Sequence, residues 1–111
     1  MIRNVAMISQ PMGDRSEEDI LAQRNKAMKV LDDMGYEVVD SYIYDADEDL
    51  RMYGYIHLPV YYLGKSLEFL AKADVLYVCD GWENARGCRI EVETAKAYNI
   101  PIIYETRPKL Y

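Results

Sequence analysis

With 111 residues, half of them apolar, the chain suits one domain around one core. Its net charge of −6 speaks against a phosphate-backbone binder, because nucleic-acid affinity rests on clustered Lys and Arg. No apolar run approaches the roughly 20 residues of a membrane span, and the opening MIRNVAMIS is too short and wrongly followed for a signal peptide. A single cytoplasmic domain over 1–111, with neither nucleic acid nor membrane as partner, is therefore expected.

In chain order, VAMIS (5–9) reads as a short buried strand. SEEDILAQRNKAMKVLDDMG (16–35) reads as a helix with Ile20, Leu21, Ala27, Met28, Leu31 and Met34 on its inner face. Ser16 and Asp19 resemble a capping box at its start, and Gly35 suits its end. YEVVDSY (36–42) is the second strand. The irregular stretch 43–57 is acidic first and then tyrosine-rich. LPVYYLGKSLEFLAKAD (58–74) reads as a helix with Pro59 in its first turn and Val60, Leu63, Leu67 and Leu70 turned inward. VLYVCD (75–80) is a strand suited to a sheet covered on both faces. A helix from Ala85 to Tyr98 and the strand IPIIYE (100–105) complete the series.

Strand–helix alternation implies right-handed crossovers and a parallel sheet. The expected fold is α/β, a flavodoxin-like three-layer sandwich whose four-stranded parallel sheet runs in the order 2-1-3-4. Such folds bind ligands at the carboxyl ends of the strands, where strand order reverses. The loops at that edge are SQPMGDR (9–15) and DGWENARG (80–87).

Cys79 and Cys88 belong to no CxxC pair, and His57 stands alone, so no metal site and no cofactor are expected. The cysteines read as small buried hydrophobes. Eleven tyrosines against one Phe and one Trp suit ligand pockets and subunit interfaces. The tyrosines of 43–57, with Tyr61 and Tyr62, point to a homo-oligomer, dimer or higher. Tyr111 or Arg107 would then be within reach of a partner's site.

Two glutamates of the last helix divide by their neighbours. Glu93 has Arg89 and Lys96 at helical spacing, as on a solvated face. Glu91 is ringed by Gly87, Cys88, Thr94 and Ala95, all small, which suggests a concave surface. Its place near the helix start favours the ionised form, as attack on an anomeric carbon requires. Trp82 in the preceding loop suits stacking on a base or capping the core. Arg15, where loop 9–15 meets the first helix, suits a phosphate together with Ser9 and Gly13.

MISQPMGDRSEEDI, YLGKSLEFLAKADVLYV and DGWENARGCRIEVETAKAYNIPIIY together resemble the nucleoside 2-deoxyribosyltransferase-like superfamily, nearest its small phage and bacterial branch of DUF4406 type. The spacing Gly87-x-x-x-Glu91-x-x-x-Ala95 resembles the family's nucleophile helix and implies that Glu91 is the catalytic glutamate. It is also similar to the phosphoribohydrolases of the cytokinin-activating type. SQPMG stands where the family holds sugar and phosphate, which implies ligand contacts at Ser9, Gln10, Pro11 and Gly13. Asn84 and Gly87 belong to the same implied set. The chain has Met7 where the transferases have a tyrosine, Ser66 where they have an aspartate, and Ala85 where their second aspartate falls.

The resemblance implies a small-molecule nucleoside or nucleotide partner and cleavage or transfer at the N-glycosidic bond. Glu91 would be the nucleophile, Asp80 or Glu83 the acid–base group, and Trp82 the base platform. The alternative is a non-catalytic nucleotide-binding module or sensor, for instance of an ADP-ribose-like ligand. A third reading is an interaction protein whose tyrosines form a subunit surface.

Overall fold

A computed structural model describes residues 4–39, 54 and 57–106. The expectations for residues 40–42, for Tyr44, Tyr53 and Tyr55, and for Arg107 and Tyr111 lie outside them. The elements are β1 (Val5–Ser9), α1 (Glu17–Asp33), β2 (Glu37–Val38), α2 (Leu58–Leu70), β3 (Val75–Val78), a 3-10 turn (Trp82–Asn84), α3 (Arg86–Ala97) and β4 (Ile102–Tyr104). The strands form one parallel sheet in the order β2-β1-β3-β4, as the alternation requires. No helix among the described residues is long and apolar enough to cross a membrane.

Side chains alternate across the sheet with a period of two, and this splits the core. Ala6, Ile8, Val75, Tyr77, Cys79 and Ile103 pack with Ala27 and Leu31 of α1. Met7, Leu76, Val78 and Ile102 pack with Leu70 of α2 and with Val92 and Ala95 of α3. Both faces of β3 are thus covered, and each fully buried Leu or Val contributes roughly 1.5–3 kcal/mol. Two helices on one face and one on the other make the three-layer sandwich.

α1 begins at Ser16, whose hydroxyl accepts the Asp19 N–H at 3.1 Å. It ends in a Schellman turn. Gly35 adopts φ +87°, its N–H reaches the Asp32 carbonyl at 3.0 Å, and the Tyr36 N–H reaches the Leu31 carbonyl at 2.9 Å. Its buried face is narrower than expected, because Ile20, Ala27 and Leu31 fall in one line. Leu21 and Met28 lie about 90° round from it at about 100° per residue, and Met34 lies past the last turn. These three are 51, 41 and 41% exposed, so they are not core residues.

α2 stops at Leu70 instead of reaching Asp74. The Asp74 carboxylate accepts the Val5 N–H at 2.7 Å, and its own N–H donates to the Val5 carbonyl at 2.7 Å, which makes it the entry to β3. Leu67 and Leu70 face the core as expected. Val60 does not: it is 65% exposed, because the first turns of α2 extend past the carboxyl edge of the sheet.

Candidate functional site

Period-two alternation along β1 sends Ser9 to the same side as Met7, towards α2 and α3. There its hydroxyl donates to Glu91 Oε1 at 2.7 Å. Glu91 is buried on the inner stripe of α3 with Cys88, Val92 and Ala95, and is only 7% exposed. The Ser66 hydroxyl of α2 reaches the same carboxylate. Burial raises the Glu91 pKa above its ordinary value, and the Ser9 and Ser66 hydroxyls only partly offset this. Glu91 lies more than a turn inside α3, so the unpaired N–H groups of the helix start are not beside it. Cys88 is buried beside it; burial pushes its thiol up, against the Ser9 hydroxyl.

Ser66 occupies the position at which the resemblance placed an aspartate, and it meets Glu91. Met7, at the tyrosine position, is part of the core on this face. Glu93 is exposed as expected, but Arg89 turns away from it and donates to the Glu83 carbonyl at 3.1 Å.

A second polar group occupies the α1 side of the same sheet edge. Arg15 Nη1 donates to Gln23 Oε1 at 2.7 Å, and its Nη2 donates to the Asp80 carbonyl at 3.2 Å. Gln23 Nε2 donates to that carbonyl at 3.2 Å and to Glu105 Oε1 at 2.9 Å. Glu105 also accepts the Asp80 N–H at 2.8 Å and pairs with Lys26 at 3.4 Å. Burial opposes its charge, but the Asp80 N–H, Gln23 and Lys26 outweigh it, and the Glu105 pKa is lowered. Gln10 Nε2 donates to the Ile20 carbonyl at 2.7 Å and to Gln23 at 3.2 Å, while its buried Oε1 meets no partner among the described residues. Gly81, at φ +93°, lets Arg15 lie against the loop; a Cβ there would collide with Arg15 Nη2 and touch Pro11 Cγ at 3.4 Å.

Ser9 and Glu91 are thus brought together, and Gln10, Pro11 and Arg15 lie at the adjoining edge. Asp80 and Glu83 are not next to Glu91. The Asp80 carboxylate accepts a hydrogen bond from Thr106, and Glu83 is exposed on the 3-10 turn. Gly13, Asn84 and Gly87 are exposed. Trp82 packs against Tyr104, ring centroids 5.8 Å apart, on the core. With Arg89, Ile90, Glu93, Thr94 and Tyr98 it lines a cleft of about 590 Å³ on the face of α3 centred about 100° round from Glu91. Of the two uses read for Trp82, the core-capping one is what its packing shows. Among the described residues, no three His, Cys, Asp or Glu side chains are grouped to hold a metal.

The family model described as "Domain of unknown function (DUF4406)" matches residues 7–104. The chain belongs to the DUF4406 family. The match runs from Met7 on β1 to Tyr104 on β4, so the described DUF4406 sheet and both polar groups at its edge fall almost wholly inside it. Neither a curated protein nor a solved structure matches the chain.

Gln23 and Glu105 were missed by the sequence reading. A signal for Glu105 existed: counting by twos from Ile103 puts it on the α1 face of β4, just past the strand end. Gln23 looked like any polar residue of an amphipathic helix.

Proposed function

We propose that the chain cleaves the N-glycosidic bond of a nucleoside or nucleotide, or passes its deoxyribosyl group to a second base. The observation that carries this reading is Glu91, the one buried carboxylate among the described residues, held by two hydroxyls at the switch point of a parallel α/β sheet. Glu91 attacks the anomeric carbon, the C–N bond breaks with its electron pair going to the base, and the base takes up a proton from water. A glycosyl ester of Glu91 results. Water then adds at the same carbon, its proton leaves to solvent, and the carboxylate is restored; a second base in place of water completes a transfer. Arg15 forms no ion pair among the described residues, which leaves a half-buried positive charge for a phosphate at the loop edge.

One observation favours a second reading, a non-catalytic nucleotide-binding module. Asp80 is engaged by Thr106 and Glu83 stands in solvent, so Glu91 has no acid partner from either. Loss of general acid catalysis lowers rates by about 10²–10⁴-fold. Mass spectrometry after incubation with a panel of deoxynucleosides and nucleotides separates the two. A covalent adduct or released base supports the enzyme, and stoichiometric unmodified ligand the module. Neither adduct, base nor bound ligand across the panel would overturn both.

The proposal extends to a homo-oligomer. α2 exposes Leu58, Val60 and Tyr62 in its first turns, and a helix apolar on most sides is normally covered. Sedimentation at micromolar concentration should show a dimer or larger species; a monomer with and without ligand removes this extension.

A further inference from the structure

α2 leads into β3 and α3 into β4 of the same parallel sheet, so the two helices run parallel to each other and antiparallel to the strands. They touch where Ser66 meets Glu91. Four residues nearer the start of each helix stand Tyr62 and Gly87. Residues four apart lie on one helical face, and side chains lean towards the helix start. Tyr62 and Gly87 are therefore level with one another, one turn above the Ser66–Glu91 contact and towards the open carboxyl edge of the sheet. Tyr62 is 39% exposed and meets Tyr61 edge-on, centroids 5.4 Å apart. A Cβ placed on Gly87 would meet nothing within 4 Å. A tyrosine thus stands across from a helix position with no side chain and free space before it.

We infer that this gap is a slot for a flat aromatic ring, with Tyr62 as platform, the Gly87 backbone as facing wall and the Glu91 carboxylate as floor. The slot rests on the nucleoside reading above and fixes the direction of the ligand. The base lies between α2 and α3, the sugar at Glu91 and Ser9, and any phosphate towards Arg15. Trp82 is not this platform, because it packs on Tyr104 of the edge strand β4.

Equilibrium binding of 2′-deoxyadenosine and thymidine to the full chain and to Tyr62→Ala, Tyr62→Phe and Gly87→Leu tests the slot. Removing one base-stacking aromatic should weaken binding about 5- to 150-fold. Tyr62→Ala should therefore lose affinity in that range, and Tyr62→Phe, which keeps the ring, should recover most of it. Gly87→Leu should lose affinity at least as strongly while melting no lower than the parent, since Leu is the better helix former and has room to extend. Parental affinity in both Tyr62→Ala and Gly87→Leu would sink the slot and leave the nucleoside reading standing. A parent that binds neither these two nucleosides nor their 5′-monophosphates sinks both.

Discussion

Replacing Glu91 by Gln should lower base release by at least about 10³-fold while leaving the fold intact, a loss in the range seen when a covalent nucleophile is removed. The amide has the shape of the carboxylate and can still accept from Ser9, so the hydrogen bond between β1 and α3 survives. It also removes a charge that burial disfavours, so the thermal midpoint should not fall. Glu93→Gln, on the exposed face of the same helix, should be silent in both assays. Rates of base release are measured for all three chains at one pH. Parental turnover in Glu91→Gln would falsify the nucleophile assignment, whatever the fold does.

Gly81→Ala is expected to be the most damaging small substitution in the site loops. A residue with a Cβ at φ +93° carries strain of roughly 1–2 kcal/mol. The new methyl also displaces the Arg15 guanidinium, which removes its hydrogen bond to the Asp80 carbonyl, worth about 0.5–1.5 kcal/mol. The sum of about 1.5–3.5 kcal/mol corresponds to a midpoint lower by about 6–15 °C in a domain of this size. Because the clash and the lost bond share Arg15, the double variant Arg15→Ala/Gly81→Ala should be less destabilised than the sum of the singles. Additivity of the two, measured by thermal or urea unfolding, would show that Arg15 does not lie against Gly81 as described.

Much of the fold was legible because each element carried its own period. The run VLYVCD shows no alternation in sequence, and that is what a strand covered on both faces looks like. Ser16 and Gly35 marked the ends of α1 through local chemistry that tertiary contacts did not override. The errors came where hydrophobicity and burial part company. Leu21 and Met28 are apolar at plausible helical spacing, yet a single sheet face covers only a narrow stripe of α1, while Val60 lies on the inward stripe of α2 but in turns beyond the sheet edge. In the site, the buried setting of Glu91 was legible from its small neighbours, a pattern within one helix. Asp80, bound by Thr106, and Glu83, exposed, stand apart from Glu91, because nearness in sequence says nothing about which side of the sheet edge a loop residue faces. Ser66, Gln23 and Glu105 become partners only through contacts between elements, which no local pattern encodes.

Two carboxylates at one sheet edge are pushed in opposite directions, Glu91 up from 4.5 and Glu105 down from it. On acidification Glu91 takes its proton first, above the range of an ordinary carboxylate. Its folded-state value is the higher one, so this uptake favours the folded chain. Glu105 keeps its charge until the pH has fallen below 4.5, and only then does its contribution to stability drain away. Between the two events lies an interval in which the nucleophile is neutral while Asp80 is still moored to Glu105 and Gln23. Acid would therefore silence the proposed chemistry before it loosens the loop, and returning the pH to neutral would restore the activity without any need to refold.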